Sequence, residues 1–265
     1  MRKWIVIKKS IGETPLMALN RWKKGHPAYT SMPASYAGRL DPMASGKLLV
    51  LLGEECKRQK EYTGLDKEYE IEVLLDAGSD TGDALGMVEY AEKESKINFG
   101  ALRKALRAEL GTHARPYPLF SSKTVHGKPL FLHTLEGMSH HIEIPKHEER
   151  IYRISERGIA QVSAAALQAR IADFLAKVPK SDEPSKQLGA DFRIDDVCAS
   201  WEKLFAEVGE GTFTILSLRV ACGSGTYMRS LAGRIGEALG TRALALSIKR
   251  TKIGTYWMGW WVKSL

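Results

Sequence analysis

Cysteine is scarce: Cys56, Cys198 and Cys222 lie far apart in 265 residues, odd in number and without metal-ligand spacing. That excludes a disulfide framework or a paired-cysteine zinc site and points to a reducing compartment, with the cytoplasm as the default expectation. Long apolar runs are missing too. No stretch reaches the roughly 18 consecutive apolar residues of a membrane span. The start, MRKWIVIKKS, lacks the apolar segment and small-residue cleavage site of a secretory signal. There is no GxGxxG after a strand, no GxxxxGK[ST], no HExxH and no CxxC. Dinucleotide redox chemistry, ATP-driven chemistry and metal catalysis therefore have no support, and neither cofactor nor metal is expected. The pair His140-His141 reads as solvated.

What is present is ordinary for a globular chain, with 44% apolar and 26% charged residues. The net charge of +8 favours a polyanionic partner, although solubility alone would also explain it.

Local patterns give the elements. Lys3–Lys9 reads as a strand, and Thr14 followed by Pro15 opens a helix to about Lys24. Gly25 to Ser35 reads as a loop, and Glu54–Tyr62 as a short polar helix. Residues 67–75 alternate, with Tyr69, Ile71, Val73 and Leu75 on one face and Glu68, Glu70 and Glu72 on the other. Leu102, Leu106 and Leu110 mark a helix over 101–110, closed by Gly111. The stretch 112–140 loses periodicity and reads as a long functional loop. Strand-like segments return at HIEIP and RIYRIS. Residues 158–211 differ in texture and read as a helical insertion: Ala164, Leu167, Ile171 and Phe174 form one helix, KSDEPSK a polar linker, and WEKLFAEV a second helical piece. Thr212–Cys222 alternates as a strand before a Gly-Ser-Gly turn and a helix ended by Gly240. Two strands over 243–251 and 254–263 close the chain.

One segment invites chemistry. In GRLDPMASGKLLVLLGEECK, the aspartate Asp41 sits in a glycine-bounded turn at the head of an apolar run, hence at the edge of a core. An Asp-Pro pair between glycines is by itself usually just a turn. Together with its flanks, the segment resembles the LDPxATG…GxATK motif of the TruB family of tRNA pseudouridine synthases. Four more resemblances follow in the family's order. KEYEIEVLLDAGSDTGDALG resembles its K-x-Y strand and acidic loop, and RPYPLFSSKTVHGKPLF is similar to its PPxxSAxK segment. VACGSGTYMRSLAGRIGEALG resembles its GTYIR helix, and LSIKRTKIG its LRRTxxG strand.

The resemblance implies an α+β pseudouridine synthase fold, with a mixed, mainly antiparallel central sheet flanked by helices. It implies an isomerase, an intramolecular transferase, acting on the T-loop uridine at position 55 of tRNA without a cofactor. Asp41 matches the nucleophile. A carboxylate at a core edge needs a cation to stay ionised, and Arg229 matches the family arginine that faces it. Tyr69 matches the tyrosine that stacks on the target base and assists removal of the C5 proton. Tyr227 and Ile248 match residues lining the uracil pocket. Arg115, Lys123 and Lys128 lie in the loop that clasps the RNA stem-loop, and Arg39, Lys249 and Arg250 are further RNA-binding candidates. Tyr36 stands where many members carry a histidine that helps turn the nucleotide out, and is expected to contact substrate.

The chain is expected to be a single catalytic domain over 1–265, without the family's C-terminal PUA domain, and to act as a monomer. The 158–211 insertion is expected to prop the clasping loop or add RNA contact. The competing expectations are a guide-RNA-dependent synthase and a catalytically silent tRNA chaperone.

Overall fold

The computed structural model describes residues 2–91, 97–178 and 193–265. Its chain order explains how distant motifs meet. β1 (Trp4–Lys9) leads to α1 (Pro15–Lys24), where the Thr14 hydroxyl accepts from the Met17 amide at 3.2 Å and proline occupies the first turn. β2 (Ala34–Ala37) and β3 (Ala44–Leu52) flank the Asp41 turn. A 3-10 turn and α2 (Gln59–Thr63) follow, then β4 (Asp66–Leu75), β5 (Ala77–Ser79), β6 (Val88–Tyr90) and α3 (Phe99–Ala108). β7 (Gly111–Pro116), the small hairpin β8 (Thr124–Val125) and β9 (Lys128–Pro129), and α4 (Leu130–Leu135) occupy the aperiodic stretch. β10 (Lys146–Ser163), α5 (Ala164–Leu175), α6 (Ile194–Val208), β11 (Thr212–Cys222), α7 (Met228–Ala238), β12 (Ala243–Trp257) and β13 (Trp260–Ser264) complete the described chain.

The central sheet runs β1-β3-β12-β4-β11-β10-β7, with β2 on β3 and β13 on β12. Every pairing is antiparallel except β3 with β12. This is the expected α+β architecture. Gly46 permits the parallel contact: at φ +109° it brings its Cα so close to Arg250 that a Cβ would fall 2.3 Å from the Arg250 carbonyl oxygen. The main core lies between the sheet and helices α3, α5, α6 and α7, and a second cluster under α1 joins Ile5, Ile7, Leu48 and Val50.

Five expectations need correction. The HIEIP segment is not strand; pairing begins at Lys146, where β10 has β7 beside it. The stretch 112–140 is not plain loop, because β7 pairs with β10 from Thr112 to Pro116 and α4 buries Leu130. Residues 158–163 belong to β10 and pair with β11 down to Ser163↔Thr212, so they are sheet rather than insertion. The two expected closing strands are one long β12 plus β13, turned at Met258-Gly259, both at positive φ. Leu110 lies beyond α3 and is 40% exposed, where the fourfold spacing placed it on the buried stripe.

The helices α5 and α6 do fall where the apolar spacing puts them. They are core rather than appendage: Leu167, Ile171, Trp201 and Leu204 are buried in the main cluster, and the Trp201 indole donates to the Ala84 carbonyl at 3.1 Å. Cutting out 160–208 is expected to leave an insoluble or unfolded chain, measured as loss of a cooperative urea transition, because it strips this apolar cover from the sheet. KSDEPSK lies outside the described residues.

Candidate active site

Register brings the site together. On β4 and β12, Tyr69 stands opposite Arg250 and Ile71 opposite Ile248, while Ile248 also pairs with Ala44 of β3. The turn before Ala44 therefore sits over the middle of the sheet. It closes by a hydrogen bond from the Ala44 amide to the Asp41 carbonyl at 2.9 Å. A cleft of about 750 Å³ opens there, lined by Asp41, Tyr69, Tyr227, Arg229 and Ile248, with Phe120 and Leu135 from the 112–140 stretch.

Two buried cations hold the ends of the Asp41 turn. Arg250, 1% exposed, donates from Nε to the Lys47 carbonyl at 2.7 Å and from its terminal nitrogens to Arg39 and Gly38 carbonyls at 3.3 and 3.1 Å. Lys9 donates from Nζ to the carbonyls of Ala44 at 2.5 Å, Ser10 at 3.0 Å and Pro42 at 3.4 Å. Backbone dipoles thus absorb both charges, and the turn is fixed at each side of its carboxylate.

Asp41 itself points into the cleft, its side chain 46% exposed. It is less buried than its place before an apolar run suggests, because the cleft opens above the turn. Arg229 approaches from the start of α7, after the Gly223–Thr226 turn. Its Nε lies 2.9 Å from Asp41 Oδ2 and 3.4 Å from Asp83 Oδ2, without an aligned hydrogen bond to either. Its terminal nitrogens are spent on the carbonyls of Thr81 at 2.8 Å and Phe120 at 3.0 Å. The guanidinium is therefore anchored by backbone through its terminal nitrogens, with Nε left facing the two carboxylates. Burial works against the Arg229 charge, but Asp41 and Asp83 outweigh it and raise its pKa.

Asp83, in the acidic loop between β5 and β6, is a site residue that the sequence pattern does not single out. It is buried and accepts from the Thr81 hydroxyl at 2.8 Å and the Leu85 amide at 2.9 Å. Burial pushes its carboxyl above the ordinary range, while Arg229 pulls the other way. Its place beside Arg229 follows from an isolated bridge between Asp83 and Ala245, next to β12. No local pattern announces that contact.

Tyr69 forms the floor, buried, and burial raises its phenol pKa. Tyr227 meets the rings of His147 and Tyr117 edge-on, at centroid distances of 5.6 and 6.2 Å, while those two rings stack on each other at 4.1 Å. Lys67, also buried, donates to the Thr63 carbonyl at 2.7 Å and the Ser224 hydroxyl at 3.2 Å, tying β4 to the turn before α7.

Of the expected contact residues, three are placed otherwise. Arg250 is not an RNA ligand, since its guanidinium is buried and spent on carbonyls. Lys249 follows Ile248 and so faces the other side of the sheet, 3.8 Å from Glu70. Tyr36 shares its face of β2 with Ala34 and packs on the cluster under α1, not on the cleft. Arg39 is exposed at the cleft rim. Arg115 and Lys128 pair with Glu109 and Glu136, and Lys123 stands 5.1 Å over the Tyr117 ring. Arg193, at the start of α6, pairs with Asp80 at 2.8 Å and lies 4.9 Å over the Phe120 ring, so the helical region does touch the 112–140 stretch.

Burial lowers both Lys9 and Lys67 to about 8, below their unfolded value of 10.5. Between about pH 8 and 10 the folded chain sheds these protons while the unfolded chain keeps them, so stability rises with pH. Above about 10, Tyr69, Tyr152 and Tyr227, whose pKa values burial raises, stay protonated only when folded, and the slope turns downward. Urea midpoints taken from pH 7.5 to 11 are expected to trace that maximum, and Lys67→Met to flatten its rising side.

Fold and site together define one arrangement: a cleft-facing carboxylate, Asp41, and a buried one, Asp83, on either side of a buried arginine, over an aromatic floor, in a cleft across a mainly antiparallel sheet. The sequence profile described as TruB family pseudouridylate synthase (N terminal domain) matches residues 28–173, which include Asp41, Tyr69 and Asp83. The chain belongs to that family. It is 25% identical over 252 residues to the tRNA pseudouridine synthase B of Blochmanniella floridana, covering 95% of this chain and 76% of that one. It is 28% identical over 250 residues to the enzyme of the same name from Burkholderia mallei, covering 94% of this chain and 64% of that one. Among solved structures, the Cbf5-Nop10-Gar1 complex contains a chain matching 94% of this one and 48% of its own length, at a TM-score of 0.53 and 18% identity. That likeness establishes the fold. The profile runs on to 173, so α5 falls almost wholly inside the family's own domain.

Proposed function

We propose that this chain is a tRNA pseudouridine synthase that isomerises the T-loop uridine at position 55, with Asp41 as nucleophile. The observation that carries the reading is the 2.9 Å approach of the Arg229 guanidinium to a cleft-facing Asp41 carboxylate, above Tyr69. The names of the two relatives support tRNA as substrate.

Uridine and pseudouridine are isomers. The bond from C1′ to N1 breaks, a bond from C1′ to C5 forms, a proton leaves C5 and one is gained at N1. No electrons are exchanged with a cofactor. A carboxylate that attaches covalently to the nucleotide divides this rearrangement into smaller steps. Arg229, 2.9 Å away, balances the charge of the Asp41 carboxylate as the adduct forms and breaks. Tyr69 and Ile248 supply an apolar, aromatic surface for the detached uracil to turn on. The target must first leave its stack in the RNA loop. The 112–140 stretch, with Lys123, and Arg39 at the rim are the groups suited to hold the RNA while it does so. The reading includes a catalytic domain acting as a monomer in the cytoplasm.

Burial raises the pKa of Tyr69 and so disfavours a resting phenolate, which suits the neutral phenol as a stacking partner placed to pass on a proton. Tyr69→Phe is expected to slow the reaction by about 10²-fold, the lower range for a proton-transfer group, with tRNA affinity unchanged. The assay is release of tritium from tRNA labelled at uridine C5, using pure protein and no added RNA. Release at catalytic protein concentration supports the reading. Label retained in every uridine overturns it.

A further inference from the structure

The reverse face of the sheet carries a second cavity, of about 350 Å³, on the side away from Asp41. Register fixes that side: Arg219 of β11 lies opposite Glu70 of β4 and Arg153 of β10 opposite Ala221, whereas Tyr69, opposite Val220 on the other face, lines the cleft. The β12–β13 hairpin curls over this face. Tyr256 stacks on Tyr152, three strands away, at 5.2 Å, and meets Trp261 edge-on at 5.3 Å. Cations interleave the rings, with Arg150 at 5.0 Å over Tyr152 and Lys252 at 5.5 Å over Trp261.

The charges do not cancel. Glu68 is taken by Lys252 at 3.3 Å and the Trp261 indole at 3.3 Å, Glu70 by Arg219 at 2.8 Å, and Asp66 by the Tyr152 hydroxyl and the Tyr256 amide, both at 2.8 Å. Arg153 and Arg157, both exposed on the cavity wall, have no carboxylate partner among the described residues. The Arg219 Nε is sealed from solvent with no acceptor. Beside them Trp260 stands 78% exposed. A bare indole next to unpaired guanidiniums matches the two faces of a nucleotide, a flat base and a phosphate, and the cavity is of small-ligand size.

We propose that this reverse-face cavity is a second RNA-binding site, which stacks an unpaired base on Trp260 and holds the adjoining phosphates with Arg153 and Arg157. The inference rests on the reading of the chain as an RNA-modifying enzyme, but its test does not use catalysis. The probe is a fluorescein-labelled short oligoadenylate, which offers no uridine to the cleft, followed by anisotropy with and without a saturating unlabelled T-arm stem-loop.

The oligoadenylate is expected to bind in both conditions. Its affinity falls about tenfold in Trp260→Ala and by at least that in the double variant Arg153→Glu/Arg157→Glu. The double variant is also expected to flatten the dependence of log affinity on log salt by about one unit or more. Both changes are at exposed side chains, and an unaltered thermal midpoint and unaltered stem-loop affinity show that the chain is folded. Displacement of the oligoadenylate by the stem-loop, or equal affinity in wild type and variants, overturns the proposal. Failure of the catalytic reading shows separately, as absence of tritium release.

Discussion

Asp41→Asn drops tritium release from labelled tRNA by at least about 10⁴-fold, while tRNA affinity stays within a few-fold. The substitution keeps the shape of the side chain and removes its charge and its ability to form an ester-like adduct. A missing nucleophile leaves only positioning, and knock-outs of such groups in other enzymes cost factors of this size. Binding survives because the turn is not held by the carboxylate. It is held by Arg250 and Lys9, which grip backbone carbonyls on each side of it. The variant is expected to keep its unfolding free energy in urea within about 1 kcal/mol of wild type, since the Asp41 side chain is half exposed and partly screened pairs contribute little.

Arg229→Met behaves in the opposite way, losing both stability and activity. Removing the guanidinium leaves Asp83 buried without its cation and leaves the Thr81 and Phe120 carbonyls without their donors. Breaking a buried pair in this manner costs about 3–5 kcal/mol. Adding Asp83→Asn to Arg229→Met removes the stranded charge, so part of that loss returns in urea or thermal unfolding. Activity does not return, because nothing then faces Asp41. Recovery of stability without recovery of turnover separates the role of Arg229 in the fold from its role beside the nucleophile. Recovery of both would mean that the arginine serves the fold alone.

Much of this arrangement is legible from one-dimensional pattern. Alternation places Tyr69 with Ile71 and Val73, and the apolar run after Asp41 places the turn at the edge of the core. The same alternation, read strictly, puts Lys9 on the face of Ile5 and Ile7, Lys67 on that of Tyr69, and Arg250 on that of Ile248. All three are inward cations, yet a lysine or arginine in a basic chain reads first as a surface group, and Arg250 reads as an RNA ligand. What overrides the expectation is the backbone: the Asp41 and Thr63 turns expose carbonyls that only an inward donor can satisfy. Tyr36 misleads in a related way. Its position in the motif suggests substrate, but β2 pairs with β3 so that Ala34 and Tyr36 face α1. The partnership of Asp83 with Arg229 spans some 146 residues of sequence and depends on the neighbourhood of β12, so it becomes visible only in three dimensions.

The extent of the helical region illustrates the limit of texture as a guide. Residues 158–163 lack strong alternation and so read as the start of an insertion, yet they pair residue for residue with β11. Sheet hydrogen bonding, not apolar pattern, holds that end of β10.

The most direct test of the central claim is to map pseudouridine in unmodified tRNA after incubation with the purified chain and no guide RNA, beside the Asp41→Asn protein. The account predicts one new pseudouridine, in the T-loop, with the wild type and none with the variant. Pseudouridine formed equally well by Asp41→Asn would contradict it.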